Sequence, residues 1–113
     1  MTEVIYIDIN GGLQRMMNNN KLYTKLLDKF KNDPSMASIE SAMAEGNMEN
    51  ARAAAHSLKG ISANLSLTEL YKQSMELESQ IKENSVKPDS LENLKTVYAK
   101  TIVEVDKTII QLS

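Results

Sequence analysis

The chain has 113 residues, enough for one domain built on a single hydrophobic core. It contains no cysteine, which excludes thiol catalysis, disulfide bonds and cysteine metal sites. Its net charge of -2 comes without a basic stripe, so a nucleic-acid surface is not expected. No apolar run reaches transmembrane length, and Met1 to Asn10 lacks the basic start and cleavage site of a signal peptide. We therefore expect a cytoplasmic protein that is a single domain over residues 1–113.

The composition favours packed helices over sheets, because aromatic residues are few while Leu, Ile, Met and Ala are plentiful. Met1 to Asp8 has the composition of a strand, but no second segment pairs with it, so we expect an extended lead-in. A short helix is predicted from about Ile9 to Asn18, with Gly11 and Gly12 weakening its first turn.

A second helical pattern begins near Asn20 and keeps a period of about 3.6 residues. Asn32 to Pro34 interrupts it, either as a kink or as a fresh start with Pro34 in a first turn. The pattern then resumes and ends at Gly46, a suitable C-terminal cap.

Asn47 is a good N-cap for a third helix, which is expected to end near Asn64. Ser66 to Glu69 fits a capping box for a fourth helix that ends near Glu83, and Asp89 to Glu92 fits another for the last helix. That helix should hold about 23 residues and measure roughly 35 Å. Four long amphipathic segments predict an all-α fold, an antiparallel four-helix bundle in up-down-up-down order with a short extra N-terminal helix.

The third helix carries His56, the only histidine of the chain. On a helical projection its apolar stripe centres on Leu58, and His56 lies roughly 160° away, so the imidazole is predicted to face solvent. The residues that share this outer face are small, namely Ala53, Gly60 and Ala63. The ring should therefore be approachable.

Two further features of this helix favour a close-fitting anionic partner. Gly60 costs about 0.5 to 1 kcal/mol relative to alanine in a helix interior, yet it stands where a side chain one turn on would cover the ring. No acidic residue occurs between Glu49 and Glu69, so the segment from Asn50 to Thr68 carries the positive charges of Arg52 and Lys59 alone. An anion bound at His56 would meet favourable charge.

The run from His56 to Gly60, HSLKG, is similar to the signature of histidine-containing phosphotransfer (HPt) domains. The resemblance spans nearly the whole chain and also rests on Gly12-Leu13, Leu22-Tyr23, Leu26-Leu27, Phe30, Ala44 to Asn47, Ser62 to Leu65, Leu70 and Leu77-Glu78. One departure is Ser66, because many members have glycine at that position. Serine can act as an N-cap there, so we expect a changed local turn and the same fold.

The resemblance implies a phosphocarrier without kinase activity of its own. In the family, a receiver domain phosphorylated on aspartate docks against the histidine helix, and Nε2 of the imidazole attacks in line. His56 would be the phospho-acceptor, and Lys59 would stabilise the phosphate charge. The implied partners are response-regulator receiver domains and a hybrid sensor histidine kinase. Mg²⁺ is expected in the receiver, while no cofactor or metal is expected on this chain, which should be a monomer.

The resemblance also implies where a receiver would touch the chain. Arg52, Gly60, Ala63 and Asn64 are candidate contacts on the histidine helix. The first helix often contributes apolar contacts in this family, and its candidates are Leu13, Met16 and Met17. Core packing is the alternative role for both methionines.

Other classes of function stay open at this stage. The chain could be a non-phosphorylated four-helix module that binds a receiver or kinase domain. The phosphoacceptor helix of a sensor kinase is disfavoured, because such helices usually follow the histidine with an acidic residue, whereas Ser57 stands here. A metal site is disfavoured by the single histidine, and an enzyme by the lack of a Gly-rich phosphate loop or a nucleophile-base pair.

Overall fold

The computed structural model describes residues 4–113, and every regular element in that range is a helix. The helices are α1 (Ile9–Arg15), α2 (Asn20–Phe30), α3 (Ser35–Ala44), α4 (Met48–Leu65), α5 (Thr68–Lys82) and α6 (Ser90–Leu112). Residues 1–3 of the predicted extended lead-in lie outside the described range. The all-α class is confirmed.

The helices share one core. α4 packs mainly against α3 and α5, while α6 packs against α5 and α2. The fully buried side chains of the core come from α2 to α6 and include Tyr23, Leu27, Ile39, Leu58, Leu70, Leu77, Leu94 and Val105. The last helix has the predicted 23 residues. The antiparallel, up-down-up-down order of four long helices stays a prediction.

The interruption at Pro34 is a fresh start. α2 ends at Phe30 and α3 begins at Ser35. Pro34 occupies the N-cap position, just before the first turn, and the Asp33 carboxylate accepts a hydrogen bond from the Ser35 backbone N–H at 2.9 Å. The kink is thus excluded, because the backbone leaves the helix for several residues before a new cap begins.

The first helix is shorter than predicted. It ends at Arg15, and Met17 and Asn18 have φ values of 55° and 59°, in the left-handed region. The Asn18 N–H donates to the Leu13 carbonyl at 2.7 Å and closes the turn. The expected end at Asn18 was wrong, because the chain reverses through this left-handed pair.

Gly12 lets α1 approach the core closely. It is buried, and a Cβ at this position would lie 2.2 Å from the hydroxyl oxygen of Tyr23. That hydroxyl donates to the Leu65 carbonyl at 2.7 Å, and burial, with a smaller contribution from the charge of Asp8, raises the pKa of Tyr23 to about 12. α1 and α2 are thereby tied to the C-terminal end of α4.

Of the N-terminal caps predicted for α4, α5 and α6, one forms and two do not. The Asn47 side chain accepts from the Asn50 N–H at 3.1 Å, as expected for the N-cap of α4. Ser66 instead ends α4 in a left-handed conformation, with φ 58° and ψ 40°. Leu67 becomes the N-cap of α5 without a side-chain hydrogen bond, and Asp89 likewise makes no capping bond. Neither predicted capping box forms.

Candidate functional site

The orientation of α4 agrees with the helical projection. Its inner residues Ala51, Ala55, Leu58 and Leu65 are at most 3% exposed. The side chain of His56 is 68% exposed. The buried stripe anchors the helix in the core and leaves the imidazole on the outer face.

One carboxylate binds two of the candidate site residues, His56 and Lys59. Glu78 Oε2 lies 2.8 Å from His56 Nδ1, and Glu78 Oε1 lies 2.6 Å from Lys59 Nζ. Glu78 belongs to α5, and its side chain is only 15% exposed. The packing of α5 on α4 therefore fixes the ring and the ammonium group from one side.

This contact sets the tautomer of His56. An ionised carboxylate only accepts hydrogen bonds, so the hydrogen of a neutral imidazole is assigned to Nδ1. Nε2 then carries the free lone pair. Nε2 lies on the side of the ring away from Glu78, so it is the ring nitrogen available to react.

The same contacts keep Glu78 ionised. Partial burial alone would raise the pKa of its carboxyl. Hydrogen bonds from Lys59 and His56, together with the charges of these groups, outweigh burial and hold the pKa below its usual value. Glu78 is therefore ionised at neutral pH and can accept the hydrogen bond from the imidazole.

The space beside the imidazole is open. Gly60 is exposed, and a Cβ added to it would meet no other atom within 4 Å. Ala53, one turn before His56, is exposed as well. Within residues 4–113, no steric contact requires glycine at position 60.

The other candidate contacts on α4 face different surroundings. Arg52 is exposed, and Ala63 is half-buried on the same face as His56, two turns further on. Asn64 is exposed but lines a cavity of about 280 Å³ together with Leu26 and Lys29 of α2. The structure thus places Ala63 on the imidazole face and Asn64 on the flank toward α2.

The candidates on the first helix separate into buried and exposed side chains. Met16 is only 7% exposed and packs in the core, so its placement as a surface contact was wrong and its alternative, core packing, holds. Met17 is 90% exposed, because the left-handed turn after α1 directs it outward. Leu13 is half-buried.

Glu78 was not predicted to be a site residue. The residue lies 22 positions after His56, and only the register of α5 against α4 brings the two together. Its one signal was its occurrence in the family resemblance. Across residues 4–113 no group of three or more His, Asp or Glu side chains is suited to a metal ion, and none of the helices there combines the length and apolarity that crossing a membrane needs.

Comparison with known families gives one match. The family described as "Hpt domain" matches residues 25–112, which is most of the chain and includes His56, Lys59 and Glu78. Searches of curated proteins and of solved structures found no significant match.

Proposed function

Because the chain belongs to the Hpt domain family, whose members carry out histidine phosphotransfer in phosphorelays, we propose that His56 is its phospho-acceptor. The phosphoryl group comes from the phosphoaspartate of one receiver domain and passes to the aspartate of another. The chain acts as a carrier without kinase activity of its own.

The observation that supports this proposal best is the contact between Glu78 and His56 Nδ1 at 2.8 Å. An exposed histidine without a partner rotates and exchanges tautomers, whereas this one is oriented by a carboxylate on a neighbouring helix. The oriented ring presents Nε2 outward across the open surface at Gly60. This arrangement suits a nucleophile that must be reached by a large partner.

The reaction proceeds by in-line displacement. The Nε2 lone pair forms a bond to phosphorus, and the bond between phosphorus and the aspartate oxygen of the receiver breaks, which releases a carboxylate. The imidazole keeps its hydrogen on Nδ1, and Glu78 stabilises the positive charge that develops on the ring. Lys59 lies one turn after His56 on α4 and contacts the same carboxylate at 2.6 Å, and we propose that it pairs with the added phosphoryl charge.

In this proposal the metal ion and the source of the phosphoryl group belong to the partner proteins. We propose that the receiver brings Mg²⁺ to its own acidic pocket, that this chain binds no cofactor, and that a hybrid sensor histidine kinase stands upstream. Phosphoryl transfer depends mainly on alignment and charge neutralisation, so the carrier needs only an oriented nucleophile and a nearby cation. We further propose a cytoplasmic monomer, folded as one domain with four long antiparallel helices, with no nucleic-acid or membrane partner.

The test is phosphate incorporation from a phosphorylated receiver domain in the presence of Mg²⁺, comparing wild type with His56→Gln. Wild type should acquire acid-labile, base-stable phosphate and His56→Gln should not. Helix content and melting temperature of the variant should match wild type, because the side chain is largely exposed. Labelling of the variant would refute the assignment, and receiver binding without any labelling would support the interaction-module alternative.

A further inference from the structure

A cavity of about 410 Å³ opens beside α4, where α1 and α5 meet it. Its walls include Arg15 of α1, Ala63 of α4 and Tyr71 of α5, together with Asp8 and Ser66. Neither Arg15 nor Tyr71 contributes to the phospho-acceptor site described above.

The cavity lies on the same surface as His56. Ala63 follows His56 by seven residues on α4, and Tyr71 precedes Glu78 by seven residues on α5. Seven residues are almost two helical turns, so each wall residue shares a face with its partner at the phosphate site, roughly 10 Å away along the helix. The pair of Ala63 and Tyr71 repeats, two turns on, the pair formed by His56 and Glu78.

An apolar strip joins the two places. Tyr71 is 36% exposed and Met75, which lies between it and Glu78 on α5, is 41% exposed. Apolar side chains that adjoin a candidate site add apolar area to any surface that a partner covers there. A partner that reaches His56 would therefore cover this strip and the mouth of the cavity.

Arg15 is the cationic wall of the cavity. It is exposed, and no ion pair involves it within residues 4–113. Asp8 caps the other end of α1, where its carboxylate accepts from the Gly11 N–H at 3.1 Å. Asp8 also lines the cavity, but it forms no ion pair with Arg15.

We propose that this cavity receives a carboxylate side chain of the receiver domain, with Arg15 as its ion partner and Tyr71 as its apolar wall. Arginine offers a planar fork of donors that matches a carboxylate, and Arg and Tyr are the residue types that anchor protein interfaces. The occupant belongs to the receiver, because a partner whose phosphoaspartate reaches His56 necessarily covers a site about 10 Å away. This inference rests on the proposed function and adds to it a determinant of partner choice.

The experiment measures initial transfer rates against the concentration of a phosphorylated receiver domain that labels wild type. Arg15→Ala should raise the half-saturating receiver concentration about five- to tenfold, and Arg15→Glu should raise it further. The transfer rate at saturation should stay within about twofold of wild type, because Arg15 lies away from the reacting atoms. Added salt should reduce the difference in half-saturating receiver concentration between wild type and Arg15→Ala, because salt screens the ion pair. Lys100→Ala, at an exposed position of α6, is the matched control and should behave as wild type.

Three results would overturn the proposal, and they are distinguishable. Equal half-saturating concentrations for wild type, Arg15→Ala and Arg15→Glu would mean that the cavity is empty in the complex. A loss confined to the saturated rate would assign Arg15 to the transfer step instead of docking. Absence of labelling of wild type by every receiver would instead contradict the proposed function, and this inference with it.

Discussion

Replacing Gly60 should separate stability from phosphotransfer. A Cβ at this position meets no atom within 4 Å, so Gly60→Ala introduces no clash. Alanine is favoured over glycine in a helix interior by about 0.5 to 1 kcal/mol. For a domain of this size the melting temperature should rise by roughly 2 to 6 °C, which thermal unfolding followed by circular dichroism will show.

Side chains added at position 60 should slow phosphotransfer, even where they raise the melting temperature. Cβ atoms four residues apart on a helix lie about 5 to 6 Å from each other, so any side chain at position 60 extends beside the ring of His56. A displacement of about 1 Å in a reacting group can cost on the order of 100-fold in rate. We expect Gly60→Leu to slow transfer from a phosphorylated receiver by tenfold to 100-fold, and Gly60→Ala to slow it less.

The control for the added leucine is Lys100→Leu, which places the same side chain at an exposed position of α6. It should transfer at the wild-type rate. If Gly60→Leu also transfers at that rate, the partner does not approach across this face. If Gly60→Ala lowers the melting temperature, the inference that glycine is unnecessary for folding is wrong.

Further substitutions test the fold and the site. Gly12→Ala should lower the free energy of unfolding by about 1 to 3 kcal/mol, because its Cβ would lie 2.2 Å from the Tyr23 hydroxyl; unchanged urea denaturation would show that α1 moves away without cost. Ser66→Gly should raise it by about 1 kcal/mol, because glycine adopts φ near 58° without steric penalty; a lower value would reveal a stabilising role for the serine side chain. Glu78→Gln should be less stable than wild type at pH 7. Folding lowers the pKa of the Glu78 carboxyl, and such a group stabilises the fold at pH values above its pKa in the unfolded chain. That difference should shrink as the pH falls through the folded pKa, and denaturation curves that keep a constant gap down to pH 3 would contradict it.

The orientation of the histidine helix was predictable from the sequence because it depends on local periodicity. The stripe around Leu58 fixes which side of α4 is buried, and His56 lies opposite whatever the rest of the chain does. The caps at Asn47 and Gly46 were likewise predictable, since each depends on one residue and its neighbours.

Features that depend on the register between helices were not predictable in this way. Glu78 reaches His56 only because α5 packs on α4 at one particular offset. The close approach of Gly12 to Tyr23 also joins two helices. The sequence around Gly12 predicts only that the glycine weakens a helical turn. Met16 was ambiguous for the same reason, because burial at the end of a short helix is decided by its neighbours.

Ser66 shows a local pattern with two physical solutions. Serine followed three positions later by glutamate fits an N-terminal capping box, but the same residue can end the preceding helix. Here the chain turns through the left-handed conformation at Ser66, and the Leu67 N–H donates to the Ser62 carbonyl at 2.8 Å. The end of α4 therefore takes precedence over the cap of α5.

In the proposed mechanism, Glu78 holds the hydrogen of His56 on Nδ1 and leaves Nε2 to accept the phosphoryl group. The most direct measurement is nitrogen-15 nuclear magnetic resonance of the labelled imidazole before and after phosphorylation by a receiver domain. We predict the Nδ1–H tautomer before the reaction and phosphorus bonded to Nε2 after it. Phosphorus on Nδ1, or an imidazole that stays unmodified while phosphate is incorporated elsewhere, would contradict this mechanism.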